Sequence, residues 1–219
     1  ATALVEMLNY TSSSTTSLID VPMFIPTPKN QRLKRAKQTM KDFISDVVEK
    51  RRREGFGNDL LSMLMSAKDE DTNELMTDDQ LHDEVLVTFF AGHETTATLL
   101  TWTLFNLAKN PTVEAKLHAE LQTVLGGRQP TLADMAKLPY TRMVLDETLR
   151  LYSPVSMMAR DTTTDDMVDD YGIPKGSMAV IMPYITHRHP DFWEKPLEYY
   201  PEHFLPEQVE KRPRYAYYP

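Results

Sequence analysis

The apolar positions Leu33, Ala36, Met40, Phe43, Ile44, Val47 and Val48 recur at the three- and four-residue spacing of one helix face. They predict a helix over residues 31–53, closed by the two glycines of "EGFGN". Upstream, residues 11–30 are rich in Ser, Thr and Pro and read as a loop joining helices. Downstream, "DLLSMLMSA" predicts a short helix after Asn58, and "KDEDTNE" predicts an exposed acidic loop. A long helix opens at "MTDDQLHDEV", where Thr77 and Gln80 have the capping-box spacing and Asp78 and Asp79 suit the positive helix start. It is expected to run to Lys109, because Asn110 precedes Pro111 and is biased out of the helical region. At 1.5 Å per residue such a helix is a rod of roughly 45–50 Å.

"PTVEAKLHAELQTVLGG" predicts a further helix, with Pro111 in its first turn and Gly126 and Gly127 as its stop. "TLADMAKL" reads as a short helix, and Pro139 starts another, "YTRMVLDETLRLY", which ends before Pro154. Beyond Pro154 the pattern shortens to strands and turns in "MMARDTTTDD", "YGIPKG" and "SMAVIMPYITH". Within these, "IPKG" is a turn and "MAVIM" reads as a buried strand. Six prolines from Pro190 to Pro219 predict a meandering coil with at most single helical turns. The expected class is mainly α with a small β part, helix-rich over residues 31–153 and short strands and meander over 154–219.

Composition narrows the function classes. The 219 residues suffice for one domain with a real core, and a formal charge of −8 argues against a nucleic-acid surface. The one basic run, "KRRRE", reads as a solvated helix end. There is no cysteine, hence no disulfide framework, no Cys-based metal site and no thiol nucleophile. Residues 85–108 are long enough to span a bilayer, but His93 and Glu94 at the centre make that costly. No signal peptide is evident; a cytoplasmic location is expected, with a membrane anchor on the missing N-terminal part as the alternative. The first residue is Ala1 and the last stretch, "RPRYAYYP", has no closing element; both ends are expected to be truncations of a longer protein.

Three constellations carry candidate chemistry. The first is "FFAGHETTATLL" in the long helix. Gly92 costs about 1 kcal/mol against alanine there, and Thr95, Thr96 and Thr98 are weak helix formers. Gly92 removes a side chain where something flat or bulky can approach, and threonine hydroxyls can bond back to the helix and bend it. Glu94 then places a titratable group beside the gap. The alternative is a helix–helix crossing at Gly92 with Glu94 and the threonines on the wet face.

The second is Glu147-x-x-Arg150, three residues apart on one helix face and in line with Met143. It reads as a partly buried ion pair needing further donors, or as a surface pair of small consequence. The third is the His187-x-His189 pair, which lacks the third ligand that a metal site needs; no metal is expected.

The order of these parts, from residues 91–96 through Glu147 and Arg150 to "YGIPKGS" and "HRHPDFWEKPLEYYPEHF", resembles the cytochrome P450 family, the heme-thiolate monooxygenases. The resemblance runs from about residue 31 to the end and corresponds to roughly the family's second half. It implies a partial cytochrome P450 fold, a single partial domain over 1–219, and heme as cofactor. It further implies one oxygen atom of O2 inserted into an apolar small organic substrate, with electrons from an NADPH- or ferredoxin-linked reductase. By the same resemblance Ala91 and Gly92 form the oxygen groove, and Glu94 with Thr95 form the catalytic acid–alcohol pair. Glu147 and Arg150 match the structural E-x-x-R pair, whose network an arginine usually completes. His203 stands in that place and lacks the planar fork, which predicts a weaker triad. Arg160 matches a position that holds a heme propionate, with an exposed strand arginine as the alternative. Phe89 and Phe90 would line the substrate pocket opposite Val155, Ser156, Met157 and Met158, unless these simply pack in the core. The family's cysteine ligand follows the "YAYYP"-like segment and is absent here, so this chain alone is expected to be inactive. The competing reading is a non-catalytic helical scaffold or an inactive remnant of the family.

Overall fold

Thr27, Pro28 and Asn30 open the first long helix together, and they do so three residues before the expected start. Thr27 accepts a hydrogen bond from the Asn30 N–H (3.1 Å), and Pro28 takes the first helical position, where its missing N–H costs nothing. Asn30 is buried and donates to the carbonyls of Pro22 (3.0 Å) and Ile25 (2.9 Å). The computed structural model describes residues 2–15 and 21–219. The loop expected over 11–30 therefore divides. Helix α1 (Thr2–Thr15) takes its first part, residues 16–20 lie outside the described residues, and residues 21–27 are turn and coil.

The chain forms two compact units, Ala1–His93 and Glu94–Pro219. In the first, helix α2 (Pro28–Glu54) buries Leu33, Ala36, Met40, Ile44 and Val48. Phe43, expected on that face, is instead 49% exposed, one step off the buried stripe. Helix α3 (Leu60–Ser66) starts at Asp59, which accepts from the Ser62 N–H (2.9 Å). Ile44 and Val48 meet Leu81 in a small core, with Leu61, Leu64, Met65, Met76, Val85 and Leu86 around it. The basic run ends α2 as expected, but two of its arginines have partners: Arg51 pairs with Asp59 and Arg52 with Asp78. The predicted capping box opens helix α4 (Asp78–Lys109), with Gln80 Oε1 accepting from the Thr77 N–H (2.9 Å) and Thr77 Oγ1 from the Gln80 N–H (3.3 Å).

The second unit holds the later half of α4, then helices α5 (Pro111–Leu125) and α6 (Pro139–Leu151), with a 3-10 turn at Leu132–Lys137 between them. Helix α6 has no cap of its own. Glu120 of α5 supplies it, accepting from the N–H groups of Tyr140 (2.6 Å) and Thr141 (2.8 Å), where a carboxylate suits the helix dipole. Strands β1 (Met158–Asp161) and β4 (Met178–Ile181) pair antiparallel, with Met158 opposite Ile181. Strands β2 (Asp166–Val168) and β3 (Tyr171–Ile173) form a second antiparallel pair.

Strand β4 falls where it was expected but is not buried. Met178 is 66% exposed, because the β1–β4 ladder has two strands and both faces stay open. The strand also ends sooner than "SMAVIMPYITH" suggests, since Pro183 cannot donate to a ladder and instead opens the one-turn helix α7 (Pro183–Thr186). The closing coil contains 3-10 turns at Pro201–Phe204 and Arg214–Ala216, and helix α8 (Pro206–Lys211), which is longer than a single turn. No helix among the described residues is long and apolar enough to cross a membrane.

Candidate functional site

Helix α4 stays α-helical through residues 91–96, so Gly92 and the threonines do not interrupt it. Residues 91–97 are all exposed. A Cβ placed on Gly92 meets nothing within 4 Å. Among the described residues, then, no element crosses closely enough to require a glycine there. Farther along, Thr101 and Thr103 bond back to the carbonyls of Ala97 (2.7 Å) and Leu99 (2.8 Å).

In the first unit, Phe89 packs edge-on against Phe43 (6.1 Å) and stacks with His93 (5.8 Å). Both phenylalanines and His93 border a cavity of about 420 Å³ that Met40 and Leu4 also line. Phe90 is half-buried. In the second unit, Val155, Ser156 and Met157 follow α6 and are exposed, while Met158 enters β1. Ser156 borders a second cavity, of about 430 Å³, with Thr98, Trp102, Tyr152, Tyr184 and Arg188. Trp102 stacks on Tyr152 at 4.1 Å. Of the residues expected to line a substrate pocket, Phe89 borders the cavity of the first unit and Ser156 that of the second. Arg160 is exposed on β1 and donates to the Ala159 carbonyl (2.9 Å).

The Glu147–Arg150 pair is wholly buried, at 0% exposure for both side chains, which excludes the surface-pair reading. The two meet through two parallel bonds, Arg150 Nε to Glu147 Oε2 (2.8 Å) and Nη2 to Oε1 (2.7 Å). Arg150 Nη1 also donates to the carbonyls of His187 (2.6 Å) and Pro196 (2.8 Å), and Nη2 to that of Glu198 (2.9 Å). All five guanidinium N–H donors are satisfied, which is what makes a buried arginine tolerable. Glu147 Oε1 accepts in addition from the Tyr200 N–H (2.8 Å). One turn of α6 thereby holds four separate points of the coil.

His203 joins this network, meeting Glu147 through one ring nitrogen rather than a fork. It is buried, with Nδ1 3.2 and 3.3 Å from the two Glu147 oxygens and Nε2 against the Glu194 carbonyl. Both partners are oxygen acceptors, a carboxylate facing Nδ1 and a backbone carbonyl facing Nε2. Thr148, next to Glu147, adds a hydroxyl chain to Tyr199 (3.0 Å) and Thr103 (3.2 Å). Burial raises the Tyr199 phenol above its ordinary range, keeping it a neutral donor to the Val144 carbonyl (2.8 Å).

His187 has the opposite chemistry. Its side chain is buried, Nδ1 donates to the Arg150 carbonyl (3.1 Å) and Nε2 accepts from the Tyr218 N–H (3.0 Å). Burial pushes the imidazole down to about 4, and the cations of Arg150, Arg188 and Arg212 push the same way. With both nitrogens engaged, His187 has no lone pair for a metal. His189 is turned out to solvent, its Nδ1 accepting from the Asp191 N–H (3.3 Å). Residues missed in the sequence reading gather here: Trp193, 2% exposed, with Arg212 over its face at 4.1 Å, and Tyr217, which donates to Asp146. "THRHPDFW" carries Trp193, but its histidine spacing draws attention to metals instead, and "RPRYAYYP" carries Tyr217 without marking its partner.

The cytochrome P450 family model matches residues 1–219, and the chain belongs to that family. It is 38% identical over 197 residues to cyclooctatin synthase of Streptomyces melanosporofaciens, covering 89% of this chain and 43% of that protein. It is 34% identical over 196 residues to the cyclooctat-9-en-7-ol 5-monooxygenase of the same organism, again 89% and 43%. Among solved structures, the heme domain of cytochrome P450DA superposes with a TM-score of 0.85 at 28% identity, over 99% of this chain and 47% of that one. The chain therefore spans less than half the length of the relatives it matches.

The fold is that of the family, and heme is its expected cofactor. The residues present fit one face of such a group. The exposed stretch 91–97 offers a helix face without a Cβ at Gly92. An axial thiolate is not among these 219 residues, which include no cysteine.

Proposed function

We propose that the whole protein is a heme-dependent monooxygenase that inserts one oxygen atom of O2 into an apolar small organic molecule. The observation that carries this is the pairing, in one chain, of an open glycine-containing helix face with a fully buried Glu147–Arg150–His203 network. Heme, when bound, supplies oxygen binding and activation; the protein supplies position and protons. Ala91 and Gly92 leave the helix surface low beside the reacting oxygen. Glu94 and Thr95, adjacent on the exposed helix, form a carboxylate–hydroxyl relay that delivers protons from solvent. Arg160, exposed on β1, would be the cation for a propionate. Phe89 and Phe90 in the first unit, and Val155 and Met157 in the second, are the apolar side chains offered to the substrate, with Ser156 as a polar point.

Electrons come from a reductase partner that is NADPH- or ferredoxin-linked. The 219-residue chain by itself, without a cysteine, is inactive in this reading. The relay is tested in the full-length protein with Glu94→Gln and Thr95→Ala. Both are expected to lower oxygenated product per electron pair about 10- to 100-fold, with hydrogen peroxide released in its place. Variants as tightly coupled as the wild type would remove Glu94 and Thr95 from the mechanism.

A further inference from the structure

His187 has no part in the oxygen chemistry, yet few side chains here are more completely tied. It ends α7 with its backbone N–H on the Pro183 carbonyl (2.8 Å) and its own carbonyl accepting from Arg150 Nη1 (2.6 Å). Its ring sits within ring-contact distance of Trp193 (6.3 Å), Tyr217 (5.4 Å) and Tyr218 (5.3 Å). Tyr218 donates its N–H to Nε2, and its hydroxyl meets Thr186 Oγ1 (2.8 Å). Two consecutive residues of α7 and its cap thus hold both the backbone and the side chain of Tyr218. The opposite ring nitrogen is anchored on Arg150, the hub of the buried network.

We propose that His187 is a positioning residue that fixes the course of the chain at Tyr217–Tyr218 relative to the Glu147–Arg150 hub. It requires one particular state, the neutral ring with the proton on Nδ1, because Arg150 offers an acceptor and Tyr218 a donor. Its value for catalysis rests on the heme-thiolate reading, in which the ligand loop follows this segment: a fixed Tyr218 gives that loop a fixed origin. The tie itself does not depend on that reading.

Three full-length variants separate the ring's two bonds. Glutamine reaches the Nε2 position with an acceptor, asparagine reaches only the Nδ1 position, and phenylalanine offers neither. Residue-resolved amide exchange is expected to show Tyr218 protected in the wild type and His187→Gln. In His187→Asn and His187→Phe it exchanges about tenfold faster, the loss of one hydrogen bond. Full-length His187→Gln keeps the Soret band of the reduced carbon monoxide complex where the wild type has it, while His187→Asn shifts or weakens it. Equal Tyr218 exchange in the wild type and His187→Asn would overturn the proposal. Should the variants fail to fold, the wild type decides alone. Nitrogen NMR of 15N-histidine-labelled protein must show His187 protonated on Nδ1 and bare on Nε2, and the reverse tautomer would overturn the proposal. A wild type without any thiolate-type band would sink the oxygenase reading and leave the exchange result standing.

Discussion

At the scale of single residues, the burial of Arg150 depends on the saturation of its fork. Five donors meet five acceptors, three of them coil carbonyls. Removing the counter-charge with Glu147→Ala leaves a buried guanidinium unpaired, and we expect about 3–5 kcal/mol of lost stability in urea denaturation of the full-length protein. Arg150→Lys keeps the charge but not the fork, and is expected to fall well short of wild type. His187 makes a separate prediction with a definite sign. Its imidazole sits at about 4 in the folded protein against about 6.5 when unfolded. Between those values the unfolded chain binds more protons, so the contribution is full above pH 6.5 and is lost as pH falls toward 4. The loss is at most about 3 kcal/mol. Urea midpoints followed over that range should slope in the wild type and flatten in His187→Gln; parallel slopes would contradict the assignment.

At the scale of elements, α4 poses the sharpest question, since 32 residues of continuous helix include a glycine that no packing contact requires. Gly92→Ala is therefore expected to stabilise the fold by about 0.5–1 kcal/mol, seen as a higher urea midpoint, while lowering oxygenase turnover. Unchanged turnover would mean the glycine has no part in the site. The limits of α4 were legible because they are local: Thr77 and Gln80 cap each other, and Asn110 precedes Pro111. The start of α2 was misplaced because Pro28 and Asn30 look like loop residues until Thr27 is seen to cap them. The exposure of β4 was not legible either. An apolar run shows that a strand can be buried, but the cover must come from other elements, and here it pairs only with β1. Likewise Glu147 and Arg150 could be read as a pair from spacing. Their carbonyl partners could not, because a carbonyl at residue 187, 196 or 198 leaves no mark in the side-chain pattern.

At the scale of the whole molecule, the order of motifs was more informative than any one of them, and the family model accounts for all 219 residues. These residues carry a candidate oxygen-side helix and a buried hub that anchors the coil leading to Tyr218, but not a thiolate. In the proposed reading the distal relay and the scaffold belong to this chain, and the axial ligand to another part of the whole protein. The most direct test of that reading is the reduced, carbon monoxide-bound difference spectrum of the full-length protein beside that of the 219-residue chain. A Soret band at the thiolate-ligated position is expected for the full-length protein and none for the shorter chain. No such band in the full-length protein, or its presence in the cysteine-free chain, would contradict that reading.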